Sequence, residues 1–180
     1  MITTLLLFAA LPLQSAEVAH QLDVGRAPHQ IAFRPDGSGA LVAVMGSDVV
    51  VEIDGASFEV TQRWDVTDGP IGLALPEPQG GPLVTRFRRS ELTAFGGQEP
   101  ASLALGGEAP SYLVPLPGGR LLSSLERANE MVVIDPAEFT VVERYETGAR
   151  PFPPAATSDG RLAFVPNLSL IHISEPTRPY

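Results

Sequence analysis

The sequence predicts an all-β fold in which a sheet of four short antiparallel strands recurs about every 41 residues. Three observations predict it. A proline opens an apolar run in PHQIAF at Pro28, PIGLAL at Pro70, PSYLVPL at Pro110 and PFPPAAT at Pro151, with spacings of 42, 40 and 41 residues. IDGASFEVTQRW from Ile53 and IDPAEFTVVERY from Ile134 share I-D-x-A-x-F-x-V-x-x-R and a following aromatic, 81 residues apart, which is two periods. A glycine-bearing turn follows each Pro-led run, in PDGSGALVAV, PQGGPLVTR, PGGRLLSSL and SDGRLAFV.

Each element has a local reason. Proline suits the first position of a strand, where its missing N–H costs no ladder bond, and a glycine shortly before it supplies the turn. Asp-Gly and Gly-Gly supply the positive φ that tight hairpin turns demand. Each unit therefore reads as strand a, Gly turn, strand b, polar turn, strand c, Asx turn, strand d. In the first unit the expected strands are His29–Phe33, Ala40–Met45, Val49–Asp54 and Val60–Val66. The second unit is degenerate at strand c, where SELTAF lacks the Asp. Asp54 and Asp135 close strand c in the first and third units, and a short carboxylate there accepts backbone N–H bonds from the following turn. That structural role outweighs a catalytic one.

Composition agrees with many strands and turns. The chain has 17 Gly and 18 Pro among 180 residues, 44% apolar and 18% charged residues, a punctuation density that leaves little room for long helices. Its 12 basic residues are all Arg, and 21 acids leave a net charge of -9. Such a field repels a phosphate backbone, so nucleic acid is disfavoured as a partner. With no Cys there is no disulfide framework, thiolate metal site, Cys nucleophile or acylated anchor.

The two ends read differently from the repeat. ITTLLLFAALPLQSA is an uncharged Leu-rich run followed by small residues, about 12 apolar residues against the roughly 20 needed to span a bilayer. Residues 1–16 are expected to be a secretory signal peptide, leaving no transmembrane segment in the mature chain; a buried first strand or a misplaced start codon is the competing reading. At the other end, LSLIHISEPTR from Leu168 to Arg178 matches, residue for residue, the in-frame translation of a common transposase sequencing adapter. Residues 168–180 are therefore expected to be a non-native tail, and His172, Glu175 and Arg178 carry no functional argument. The repeat occupies residues 17–167.

Four short strands at a period of about 40–45 residues are the signature of propeller blades. The Pro-x-x-apolar-A-F-x-P-D-G turn, the I-D-x-A-x-F-x-V run and the G-x-x-P link together resemble the YVTN-repeat family of β-propellers over Glu17–Asn167, although VAVMG and AFVPN only approximate its strand-b signature. The resemblance implies a seven-bladed ring, exported to the periplasm or outside of a bacterial cell, with no single shared activity. Here the expectation is about three four-stranded blades and a partial fourth, each with strand a innermost. EVAHQLDVG is expected to supply strand d of a closing blade.

Candidate site residues lie on the face bearing the d–a and b–c loops, where propellers place ligand contacts. His29 follows the Pro that opens an innermost strand, and its counterparts are Ile71, Ser111 and Phe152. Arg26, Arg88, Arg89, Arg127 and Arg150 come from turns of four successive units on that face. Converging guanidinium groups hold a carboxylate or phosphate. Asp48, Asp68, Glu108 and Glu126 share those turns, so a salt-bridged, solvated rim is the leading reading of the arginines. His20 is expected to be solvated on an outer strand. Ser123 and Ser124 lie on a strand with no His in the same unit to activate them. No P-loop, G-x-S-x-G or metal-spaced cluster occurs, so no catalytic residue, metal ligand or cofactor is identifiable. The favoured function is an exported propeller that binds a protein, a glycan or a small molecule. The alternative is an exported propeller enzyme, either a lactonase-type hydrolase or a quinone- or haem-linked redox protein.

Overall fold

The computed structural model describes residues 5–8, 18–75 and 81–168. Three four-stranded antiparallel sheets dominate it, each a meander in chain order. A first pair, β1 (Leu5–Phe8) and β2 (Val18–Leu22), precedes them. The first sheet comprises β3 (Pro28–Phe33), β4 (Gly39–Val44), β5 (Val49–Asp54) and β6 (Val60–Asp65). The second comprises β7 (Pro70–Ala74), β8 (Leu83–Arg86), β9 (Glu91–Ala94) and β10 (Ala101–Ala104), and the third β11 (Pro110–Pro115), β12 (Leu121–Leu125), β13 (Glu130–Asp135) and β14 (Thr140–Glu146). A last pair, β15 (Ala155–Ala156) and β16 (Ala163–Phe164), repeats strands a and b. The strands expected for the first unit are found to within one residue at each end, and β9 forms despite its missing Asp.

The expected export signal lies outside the described residues apart from Leu5–Phe8, whose backbone pairs antiparallel with β2. The expected non-native tail lies outside them apart from Leu168. The Leu168 N–H donates to the Arg150 carbonyl at 2.9 Å, as Met45 does to Ala27, Phe87 to Gly69 and Glu126 to Ala109. This bond of the repeat is thus kept up to that residue, although the first two strands of the fourth unit are only two residues long and Pro151 forms an isolated bridge to Asn167 where a strand opening was expected.

Local chemistry accounts for the turns. Asp54 Oδ1 accepts N–H bonds from Ala56 (3.1 Å) and Ser57 (2.7 Å), and Asp135 Oδ1 accepts them from Ala137 (3.0 Å) and Glu138 (3.2 Å). The Ser57 N–H bond leads in holding the Asp54 carboxyl below its usual range. These are the turn-closing roles expected of the two residues.

Alternation then builds the core. Along each strand, successive side chains face opposite neighbours, so both faces of a blade must be apolar. Leu41, Ala43 and Val50 of the first blade pack with Leu73 and Val84 of the second. Leu83, Leu92 and Leu105 of the second pack with Leu113, Leu125, Val132 and Ile134 of the third. The remaining face of the first blade, with Val42, Val44, Val51 and Ile53, is covered by Val24 and Leu22. β3, β7 and β11 are edge strands of their sheets that face one another across the blades, which sets strand a innermost.

Candidate functional site

Every strand a carries the same irregularity. Its pairing with strand b is broken between Pro28 and Ile31, between Pro70 and Leu73, and between Pro110 and Leu113. A bulge frees two residues from the ladder and re-aims their side chains. The freed pairs are His29 and Gln30, Ile71 and Gly72, and Ser111 and Tyr112. In each blade, therefore, the residues nearest the ring axis at the d–a loop end are the ones released from pairing.

His29 and Tyr112 meet across that axis from the first and third blades. Nδ1 of His29 lies 3.3 Å from the Tyr112 hydroxyl, and the rings are edge to face with centroids 6.3 Å apart. Tyr112 in turn stands edge to face with Phe152 of the fourth unit at 5.9 Å, an arrangement that aromatic quadrupoles favour. Burial pulls the His29 pKa below its ordinary value and pushes that of Tyr112 above its own, because both charged forms lose solvation. A neutral imidazole and a neutral phenol thus stand together at the d–a loop end of the inner strands.

Hydroxyl groups join adjacent blades beneath it. Thr85 Oγ1, fully buried, accepts from the Gly72 N–H and donates to the Ser111 carbonyl, both at 2.7 Å. One blade further on, Ser124 at the same register bonds Ser111 Oγ at 2.6 Å and donates to the Phe152 carbonyl at 3.4 Å. Ser124 is therefore a tie between blades rather than a nucleophile. In the first blade the register holds Ala43.

The arginines divide into two groups. Arg150 donates through Nε (3.0 Å) and Nη2 (2.6 Å) to Glu126, a buried carboxylate. Arg88 faces Asp48 at 3.7 Å, and Arg89 faces Asp68 at 3.7 Å and Glu91 at 3.6 Å. Those three are committed to neighbours, as a salt-bridged rim requires. Arg127 lies 5.7 Å over the Phe87 ring, and neither it nor Arg26 has a carboxylate partner among the described residues. Both are exposed and are the cations left for an anion. Glu108, expected to share this neutralisation, forms no ion pair among the described residues, and Glu91 takes that part. His20 sits exposed on β2, stacked on Phe58 with ring centroids 4.1 Å apart.

Sequence reading missed Gln30, Tyr112 and Arg86. Arg86 is the most buried of the ion-paired arginines, holding Asp68 at 2.7 Å, Glu91 at 3.2 Å and the Thr67 carbonyl at 3.0 Å. Its polar signal in the apolar run LVTR was available. Tyr112 and Gln30 stand two residues after the Pro, one beyond the register of His29 and Ser111. No group of three or more His, Asp or Glu side chains that could hold a metal ion occurs among the described residues.

No protein-family model matches the chain, and no curated protein matches it. Solved structures do. The hydrazine synthase of Kuenenia stuttgartiensis superposes with a TM-score of 0.71 at 20% identity, over 81% of this chain and 44% of that one. The Cps50 (Swd1) β-propeller domain of Myceliophteria thermophila gives 0.71 at 14%, over 96% and 62%. Virginiamycin B lyase from Staphylococcus aureus gives 0.65 at 13%, over 77% and 48%. These neighbours are β-propeller proteins, and the chain has their fold. It spans about half the length of the structures that it matches. Identities this low carry the fold and no activity.

Proposed function

We propose that the chain is part of an exported, YVTN-type propeller of seven blades whose role is to bind a ligand at the mouth of the channel. The observation that carries this reading is the His29, Tyr112 and Phe152 cluster, assembled from three different units, with His29 and Tyr112 at bulged positions. Bulges next to the axis turn side chains toward a shared space, and few convergent polar groups on an apolar wall are what a binding mouth offers. The ligand is a protein segment, glycan or small molecule that presents a flat or apolar group to the three rings. Its acidic group, if it has one, is taken by Arg26 and Arg127, because Arg88, Arg89 and Arg150 are already paired. A signal peptide over residues 1–16 supports export, and among the described residues no helix is long and apolar enough to cross a membrane. Residues 168–180 belong to no part of this reading.

The test is a titration with a panel of glycans, aromatic carboxylates and phosphates, followed by the ring signals of the histidines. A ligand of the mouth shifts the His29 signals and leaves those of His20 in place. Tyr112→Ala, which keeps His29 as reporter, abolishes the response and His20→Ala preserves it. Equal loss in both variants, or a His29 response that survives Tyr112→Ala, rejects the mouth as the site.

A further inference from the structure

The inner edges of β3, β7 and β11 raise a problem that the mouth does not answer. An edge strand presents N–H and C=O groups with no ladder partner, and here those edges line the channel. At Leu113 the gap is filled from two blades away. The Gln30 carboxamide accepts from the Leu113 N–H at 2.9 Å and donates through Nε2 to the Leu113 carbonyl at 2.7 Å. One residue of a strand sends its N–H and C=O to the same side, so the side-chain amide meets Leu113 as the peptide unit of an added strand would. Gln30 Oε1 also accepts from the Leu73 N–H at 3.0 Å. One carboxamide thereby satisfies three backbone groups on two blades.

The other blades leave that place clear. Gly72 occupies the register of Gln30 in the second blade, and a Cβ there would come within 2.4 Å of the Ser111 carbonyl oxygen and 2.9 Å of the Leu113 nitrogen. Tyr112, at the same register in the third blade, turns to His29 instead. A bare residue beside two N–H groups and one carbonyl whose partner is the Gln30 side chain defines a receptor whose donors and acceptor match a primary amide.

We propose that the Leu73 N–H, the Leu113 N–H and the Leu113 carbonyl form a carboxamide-binding site on the channel wall, that Gln30 is its internal ligand, and that a free primary amide takes the site once the Gln30 side chain is cut back. This does not depend on any ligand binding at the mouth. Gln30→Ala removes a CH2–CONH2 fragment, which acetamide reproduces.

Residue-level amide hydrogen exchange on the full chain tests it. In Gln30→Ala the Leu73 and Leu113 amides exchange about tenfold faster or more, since each loses its acceptor. Acetamide slows both again in a saturable way. N,N-dimethylacetamide, with the same carbonyl and no N–H, does not. Unchanged exchange at both amides in the variant overturns the proposal, as does fast exchange that acetamide fails to slow or that the two amides slow alike. Should Gln30→Ala not fold, Gln30→Met keeps the length and removes the bonds. It must then show Leu73 and Leu113 fast while Leu92, in the core between the blades, stays slow; protected Leu73 and Leu113 amides in that variant overturn the proposal too.

Discussion

The second and third blades are built on one pattern and differ in what lies beside them. Both faces of the second are covered, with Leu73 and Val84 against the first blade and Leu83, Leu92 and Leu105 against the third. The third blade is covered on one face by the second and only in part on the other, where the short fourth unit lies and Leu122 and Val133 are still buried. On its far face a groove of about 520 Å³ opens along Leu122, Met131, Val133 and Tyr145. Register makes the contrast exact in position: Trp64, Leu103 and Tyr145 pair with Val50, Leu92 and Met131 respectively. Trp64 and Leu103 pack against the cores beside them, whereas Tyr145 is 48% exposed. The same strand position is core or surface according to the neighbouring blade, because a repeat buries its faces only through its neighbours.

Paired substitutions at equivalent positions break or sharpen that comparison. The largest effect belongs to the closed interface. Leu92→Ala empties a fully buried site and is expected to cost about 2–5 kcal/mol. Met131→Ala, at the same register on the open face, is expected to cost about 1 kcal/mol or less, since much of that side chain's burial is absent. Denaturant melts of the two variants decide it, and equal losses would mean that the far face of the third blade is covered in solution.

A second pair concerns the ties between blades. Thr85→Val leaves the Ser111 carbonyl and the Gly72 N–H without their buried partner and is expected to cost about 1–3 kcal/mol. Ser124→Ala in a Ser111→Ala background, where the 2.6 Å bond between the two hydroxyls is already gone, removes only the longer bond of 3.4 Å to Phe152 from the far side of the third blade, and its expected cost is smaller. Reversal of that order in the same melts would show that the fourth unit is held as firmly as the third.

The axis gives a pH-dependent comparison. Burial lowers the His29 pKa in the folded chain, so the unfolded chain binds the extra proton first as pH falls. The stabilisation from a neutral His29 is complete above its unfolded value of about 6.5 and is lost as pH drops through the lower folded value. His29→Phe should flatten this part of the stability profile, while His20→Phe should leave it unchanged. A profile that keeps its slope in His29→Phe would place the titration elsewhere.

The smallest effect is a gain. Ala27 and Ala109 precede a strand-opening Pro and Arg150 precedes Pro151 of the fourth unit, with φ of 50°, 57° and 56°, where the second repeat has Gly69 at 73°. Side chains are disfavoured at such angles. Ala109→Gly, at the covered interface, should therefore stabilise by about 0.4–1 kcal/mol, read as a higher denaturation midpoint. A loss instead would mean that the Ala109 side chain, buried in the structure, contributes more by packing than its backbone costs.

The repeat was legible because it is local. Pro28, Pro70 and Pro110 open their strands, Asp54 and Asp135 close their turns within three residues, and the period follows from turn chemistry repeated along the chain. The pairs of Arg88, Arg89 and Arg150 with Asp48, Asp68 and Glu126 were legible for the same reason, as they sit in those turns, whereas the parts of Arg86 and Glu91 were not. His29 was placed at the loop-bearing end of an innermost strand by counting from Pro28. Its partner was not: the counterparts expected at its own register were Ile71, Ser111 and Phe152, while Tyr112 one residue on makes the contact. A bulge moves a side chain by one position without any mark in the residue pattern, because it depends on how strand a meets strand b.

What the sequence by itself determined was the unit: its four strands, their order, the apolar alternation that asks for a neighbour on each face, and the side of the sheet on which the loops gather. What only the tertiary structure decided was which units touch. Gln30 and Leu113 are 83 residues apart, as are His29 and Tyr112, and nothing in either segment names the other. The curvature that brings three inner strands within reach of one side chain arises from packing whole blades, where small side chains such as Gly72 and buried hydroxyls such as Thr85 set how closely two sheets approach. That distance is a property of paired surfaces, so it appears only when the faces meet.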